Sequence, residues 1–155
     1  MPYISHDGFY AGGEWLSTAR KFDVLNPADS SVWAKIADAD LNDTKLTIEK
    51  AHAAFPKWAA LPFTTRVEYL LKMADEVERR RDDIVKAVVG ESGAWFGKGM
   101  HEANALIEIF RAAAGAAYGS IGEVLPSASG KMSIATRRPM GVVTVISPWN
   151  FPTLL

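Results

Sequence analysis

The 155 residues carry 17 Lys and Arg against 18 Asp and Glu, a formal net charge of -1, with 48% apolar and 23% charged side chains. That is ordinary globular composition, and a near-neutral balance gives no electrostatic handle for nucleic acid or for an anionic membrane. There is no cysteine, which excludes disulfides, thiolate zinc sites and dithiol redox motifs within these residues and fits a cytoplasmic setting.

Met1 to Asp7 lack a basic segment followed by an apolar one, so they do not read as a secretory signal, and no apolar run approaches the length of a membrane span. Phe9-Tyr10-Ala11-Gly12-Gly13-Glu14-Trp15 sets a Gly-Gly pair between aromatic flanks, which predicts a hairpin. A further extended piece is expected at Phe22 to Leu25, then a turn at Asn26-Pro27-Ala28-Asp29 before Val32 to Ile36. A phosphate-binding glycine loop is the weaker reading of Gly12-Gly13, because no helix follows it directly.

Asp40 is placed to cap a helix with Asp43 as its third residue, ending near Trp58 and carrying Thr44, Ile48, Ala51, Phe55 and Trp58 on one face. His52 lies one residue off that stripe with no ligand-spaced His or Cys, so no metal site is expected. Thr65 and Glu68 form a capping-box pattern opening a long helix to about Val89, with apolar residues at Val67, Leu70, Leu71, Ala74, Val77, Ile84, Val85 and Val88. Arg79-Arg80-Arg81 reads as a solvated run neutralised by Asp82 and Asp83 rather than as a basic binding patch.

Gly90 to Gly93 should end that helix, and the next begins near Lys98 with Ala103, Ile107, Phe110, Ala114 and Ala117 on one side. Ile121 to Ser127 and Lys131 to Arg138 are expected to form two arms of a ribbon around Ser127-Ala128-Ser129-Gly130. Gly141 to Ile146 is a short β-branched apolar run without polar alternation, which predicts a strand buried on both faces as in a parallel sheet. Pro148 and Pro152 then bracket Trp149, Asn150 and Phe151, fixing the backbone at both ends of a turn. Asn150 is the one amide between two aromatics. It either bonds its own turn or caps a following helix, as Asn often does in loops, or it donates to a ligand.

The string Pro-Met-Gly-Val-Val-Thr-Val-Ile-Ser-Pro-Trp-Asn-Phe-Pro, from Pro139 to Pro152, closely resembles a signature of the aldehyde dehydrogenase superfamily. Gly-Gly-Glu-Trp and Asn-Pro near the start are similar to that family as well. Where the family has a Glu-Ser/Thr-Gly-Lys turn, this chain reads Glu91-Ser92-Gly93-Ala94-Trp95-Phe96-Gly97-Lys98, a departure that bears on the subfamily. Gly119 to Pro126 and Gly141 to Pro152 lean toward vanillin- and benzaldehyde-type members.

The resemblance implies an α/β fold: an N-terminal hairpin and helices over 1-120, a protruding β-ribbon over 121-140 that pairs with another subunit in a homo-oligomer, and, over 141-155, the first strand and turn of an incomplete Rossmann-like cofactor domain. It implies oxidation of a small-molecule aldehyde to the acid with NAD or NADP. Asn150 would donate its side-chain amide to the oxyanion, while Ile146, Ser147, Pro148 and Trp149 would line the cofactor pocket. The family's nucleophilic cysteine, its water-activating carboxylate and its Gly-rich cofactor turn all follow the Pro-Trp-Asn-Phe-Pro turn and are expected beyond residue 155. The 155 residues are therefore expected to be an N-terminal fragment, inactive alone. The alternatives are a non-catalytic truncated relative acting through the ribbon, or a gene remnant. An independent helical binding module would have to bury the tail from Gly141 to Leu155 against its own helices.

Overall fold

The computed structural model describes residues 8-155; the expectation about Met1 to Asp7 lies outside them. Strands β1 (Phe9–Ala11) and β2 (Glu14–Leu16) pair antiparallel with Tyr10 opposite Trp15. Gly12 and Gly13 both take positive φ, 66° and 92°, the geometry a two-residue hairpin turn demands and one that a Cβ disfavours. Strands β3 (Lys21–Leu25) and β4 (Val32–Ala37) form a second antiparallel pair, joined through a turn in which Asn26 accepts from the Ala28 amide at 2.9 Å.

Helix α1 (Leu41–Ala59) starts as expected. The Asp40 carboxylate accepts from the amides of Asn42 and Asp43, and Asp43 returns the bond to the Asp40 amide at 3.0 Å. Its apolar stripe is a different matter. No α1 residue is buried, and Ile48 and Trp58 stay exposed. The helix rests on β1, with Lys50 reaching Glu14 at 3.8 Å.

The single long helix expected from Thr65 to about Val89 is two: α2 (Phe63–Arg79) and α3 (Arg81–Ser92). Pro62 opens α2 with no side-chain cap, so the Thr65 and Glu68 capping box does not form. The chain turns at Arg80, whose φ of -98° and ψ of 13° lie outside the helical region, and both halves rest on one shared helix. That helix is α4 (Phe96–Ala116), and both α2 and α3 pack on it. At the corner the Glu76 carboxylate accepts from Arg79 at 2.7 Å and from Arg80 at 2.5 Å. The Arg79 bonds, with those from Arg80 and against desolvation, hold the Glu76 carboxyl at about 2. Arg81 meets Glu78, so the basic run pairs with acids of the preceding turn rather than with Asp82 and Asp83.

Gly93, at φ 63°, closes α3 in the left-handed conformation. Helix α4 then begins two residues before Lys98 and buries Ala103, Ile107 and Ala114 on the expected side. The core is the seam of these three helices, where Val67, Ala74, Val85 and Val88 meet α4. The hairpin of β3 and β4 is seated on it by Trp33, whose ring lies against Gly90. Strands β5 (Gly122–Leu125) and β6 (Ser133–Thr136) form the antiparallel ribbon, Val124 opposite Ile134 with both side chains exposed.

The strand expected from Gly141 to Ile146 is not formed. Residues 139-148 have neither helix nor strand, and Val143, Val145 and Ile146 are exposed. A parallel strand exists only through a neighbour reached by a crossover connection, and the described residues supply none. The observed architecture is thus mixed helix and strand, with three separate two-stranded sheets around a helical core.

Gly90 tests how the core is built. A Cβ there would fall 2.4 Å from the Trp33 ring, an overpacking that costs about 1–3 kcal/mol and outweighs the roughly 1 kcal/mol that Ala gains over Gly in a helix. Gly90→Ala is expected to lower the urea midpoint, and smaller residues at position 33 in the same background should recover part of the loss.

Candidate functional site

The last fourteen residues are tied to the core at one place. Glu102 on α4 is fully buried, at 0% exposure, the one charged side chain among the buried residues described. One carboxylate oxygen accepts from the Lys98 ammonium one turn earlier on α4. The other accepts twice from Thr153, from its backbone amide at 3.1 Å and from its hydroxyl at 2.9 Å. A buried charge is tolerable only when paired and hydrogen-bonded in this way. Burial pushes the Glu102 carboxyl up, but the bond from Lys98 and those from the Thr153 amide and hydroxyl outweigh it, so the group sits below its ordinary 4.5.

Lys98 contributes a second contact. Its ammonium lies 4.6 Å from the centroid of the Phe151 ring, within the range of a cation–π interaction. Phe151 and Thr153 are therefore both fastened to α4, with Pro152 restricting the backbone between them. The turn closes on itself through the Leu155 amide, which donates to the Phe151 carbonyl at 3.1 Å.

Asn150 stands immediately before this anchored stretch. Its side chain is exposed and makes no hydrogen bond to another described residue. It makes no bond within its own turn, and 151-154 form a bend and turns. Ile146 and Trp149 are exposed at 90% and 87%, with Ser147 exposed and Pro148 half-buried between them. No backbone group from Ile146 to Asn150 is engaged with another described residue. Of the five positions singled out in the sequence, all but Pro148 are exposed.

Sequence reasoning missed Glu102 and Thr153 and took Lys98 only as a helix start. Lys98 and Glu102 do stand four apart, the spacing of a helical ion pair, and Glu102 adjoins the buried Ala103. The partner that makes the pair matter lies 51 positions away, which no local pattern reveals. Elsewhere, an apolar cleft of about 330 Å³ lies between the β3–β4 turn and α3, and Trp33 and Phe96 line it. Trp33 Nε1 is buried without a partner among the described residues, and the cleft holds no acid–base pair. No group of three His, Cys, Asp or Glu among the described residues is arranged to hold a metal ion, and no described helix is long and apolar enough to cross a membrane.

A model of the aldehyde dehydrogenase family matches residues 15-155. Vanillin dehydrogenase of Pseudomonas sp. (strain HR199 / DSM 7063) is 36% identical over 155 residues, covering 97% of this chain and 32% of its own. Among solved structures, an NAD-dependent benzaldehyde dehydrogenase from Corynebacterium glutamicum superposes with a TM-score of 0.89 at 32% identity, over 97% of this chain and 34% of that one. A betaine aldehyde dehydrogenase point mutant from Staphylococcus aureus in complex with NAD+ gives 0.89 at 26% identity, over 96% and 31%. The chain spans about a third of the length of these relatives.

The buried carboxylate has a measurable signature. Removing one partner of a buried ion pair costs about 3–5 kcal/mol, and because Lys98 keeps 22% side-chain exposure and can turn to water, Glu102→Ala is expected near the low end of that range by chemical denaturation. The pH dependence has a fixed sign. A carboxyl depressed in the folded state contributes stability that is present above its ordinary 4.5 and lost as pH falls through the folded value. Unfolding curves taken below pH 4.5 should fall more steeply for the parent than for Glu102→Gln; parallel curves would remove Glu102 from the account.

Proposed function

The chain belongs to the aldehyde dehydrogenase family, and from that premise we propose that its 155 residues form the N-terminal third of an NAD(P)-dependent enzyme that oxidises aldehydes to carboxylic acids. In this reading 1-120 is the hairpin and helical region, 121-140 an oligomerisation ribbon, and 141-155 the entry to a Rossmann-like cofactor domain in which Gly141 to Ile146 gains strand partners. The single observation that carries it is the Asn150 side chain: an exposed, unbonded amide on a turn clamped to the core just after it.

When a thiolate adds to an aldehyde carbon, the carbon–sulfur bond forms and the carbonyl electron pair moves onto oxygen. A preoriented amide donor stabilises that oxyanion more than the neutral aldehyde, which lowers the barrier rather than merely improving binding. Asn150 Nδ2 is the donor proposed for this role. Ile146, Ser147, Pro148 and Trp149 would hold the nicotinamide cofactor through backbone groups and apolar contact. NAD(P)+, when bound, accepts the hydride from the substrate carbon. The cysteine and the water-activating carboxylate are assigned to parts of the enzyme outside these residues, since the chain has no cysteine.

Aromatic aldehydes are the proposed substrate class, supported by identity to vanillin dehydrogenase and to the benzaldehyde dehydrogenase of Pseudomonas putida, 36% and 35%. The exposed Val124 and Ile134 of the ribbon suit pairing with a second subunit, since a two-stranded ribbon is marginal alone. The cytoplasm is the proposed compartment, where a catalytic thiol stays reduced.

Two outcomes test this. A polypeptide of only these 155 residues should show no aldehyde-dependent reduction of NAD+ or NADP+. In the complete enzyme, Asn150→Ala should slow the first hydride transfer in stopped-flow by roughly a hundredfold or more, since losing one oxyanion donor costs about 2.7–4 kcal/mol. Cofactor affinity should be little changed. An undiminished first transfer would return Asn150 to the role of a turn residue.

A further inference from the structure

We propose that Glu102 is a positioning residue for the reaction: through Thr153 it fixes the turn that presents Asn150, with Lys98 steadying the intervening Phe151. The inference rests on the assignment of Asn150 as oxyanion donor made above and adds a residue on a different element.

The geometry points one way. Two residues, Phe151 and Pro152, separate Asn150 from Thr153, and Phe151 and Thr153 are both fastened to α4 by the same pair of side chains. Pro152 between them has restricted φ, so little rotation is left to be absorbed before Asn150. On the other side of Asn150 the chain is exposed from Val142 to Ser147 and unpaired among the described residues, so within them the turn is tied down only through α4.

The helix is itself fixed. Gly99, one residue after Lys98, packs so closely on α3 that a Cβ there would meet Val85 at 3.1 Å, and Ala103, one residue after Glu102, is at 0% exposure. Lys98 and Glu102 are therefore carried on the most tightly packed turns of α4. A misplacement of about 1 Å in a group that must meet a developing charge can cost a hundredfold in rate, so a carboxylate that never touches the substrate can act on the chemistry by aiming the group that does. Glu102 accepts Thr153 with a single oxygen. A glutamine carbonyl can take over that acceptance while Lys98 keeps its place beside the Phe151 ring, whereas alanine cannot.

The test has two arms. In the complete enzyme, amide hydrogen exchange and NMR of labelled asparagine side chains are read for the parent, Glu102→Ala and Glu102→Gln, alongside Val67→Ala, a core truncation on α2 that loosens the fold away from the turn. Thr153 amide protection and the Asn150 side-chain resonances should change in Glu102→Ala and stay close to the parent in Glu102→Gln and Val67→Ala. In the complete enzyme, Glu102→Ala should slow the first hydride transfer by about tenfold to a hundredfold, and Glu102→Gln should stay within about threefold of the parent. Val67→Ala should transfer hydride at the parent rate despite its lower stability. Should Glu102→Ala prove too unstable to assay, Thr153→Val, which removes the hydroxyl bond and keeps the backbone, is expected to slow the transfer about threefold to tenfold.

The failures are separable. A parent-like Thr153 amide and Asn150 signal in Glu102→Ala overturns the positioning role whatever the kinetics. An unslowed Asn150→Ala enzyme overturns the oxyanion assignment, and with it the catalytic part of this proposal. Asn150→Ala slowed but Glu102→Ala unslowed overturns positioning alone, and equal slowing in Val67→Ala and Glu102→Ala reduces Glu102 to general stability.

Discussion

A charge buried in an apolar seam is the constraint on which the C-terminal part of this structure depends. A carboxylate at 0% exposure has to be hydrogen-bonded on every side, because desolvating it without partners costs several kcal/mol. Glu102 finds one partner on its own helix and the other 51 residues along the chain. The second is what joins α4 to the turn after Asn150. An apolar residue at the same place would pack with less difficulty, but it would specify no particular partner. The carboxylate demands the Thr153 amide and hydroxyl, and so demands one position of the turn. That demand fixes the turn that follows the exposed Asn150 amide.

The rest of the molecule is arranged to hold α4 still. Helices α2 and α3 both pack on it, with the chain turning at Arg80 between them. Trp33 seats the β3–β4 hairpin on α3 at Gly90, and Gly93 turns the chain into α4. Around this core the outer face of α1, the ribbon and residues 142-149 leave large apolar side chains exposed. Surfaces of that kind on ordered elements are what protein–protein and domain contacts cover, which accords with a chain that spans about a third of its relatives' length.

Much of this is legible in the sequence where the governing physics is local. The Gly12-Gly13 hairpin, the Asp40 and Asp43 capping box, the Gly93 stop and the ribbon each follow from backbone geometry or from short-range bonds, and all four are present. The Thr65 and Glu68 capping box, equally local, is absent because α2 already opens at Pro62; the other misjudged features depend on neighbours. The α1 stripe depends on a cover that the described residues do not provide, and the Gly141 to Ile146 strand on hydrogen-bond partners a parallel sheet must supply. In the site, Asn150 stood out because two prolines and two aromatics frame it. Glu102 did not, because a Lys and a Glu four apart look like any solvated helical pair until the burial of the carboxylate is known.

The claim that joins these observations is that Glu102 acts on the chemistry through Asn150, and a double-mutant cycle on the first hydride transfer of the complete enzyme tests it most directly. If one residue works through the other, Glu102→Ala should cost nearly nothing once Asn150 is already Ala, because there is no longer a donor to aim. Strong non-additivity of the two substitutions is therefore predicted. Independent, additive losses in the double variant would contradict the account and leave the buried carboxylate as a stabilising feature with no part in catalysis.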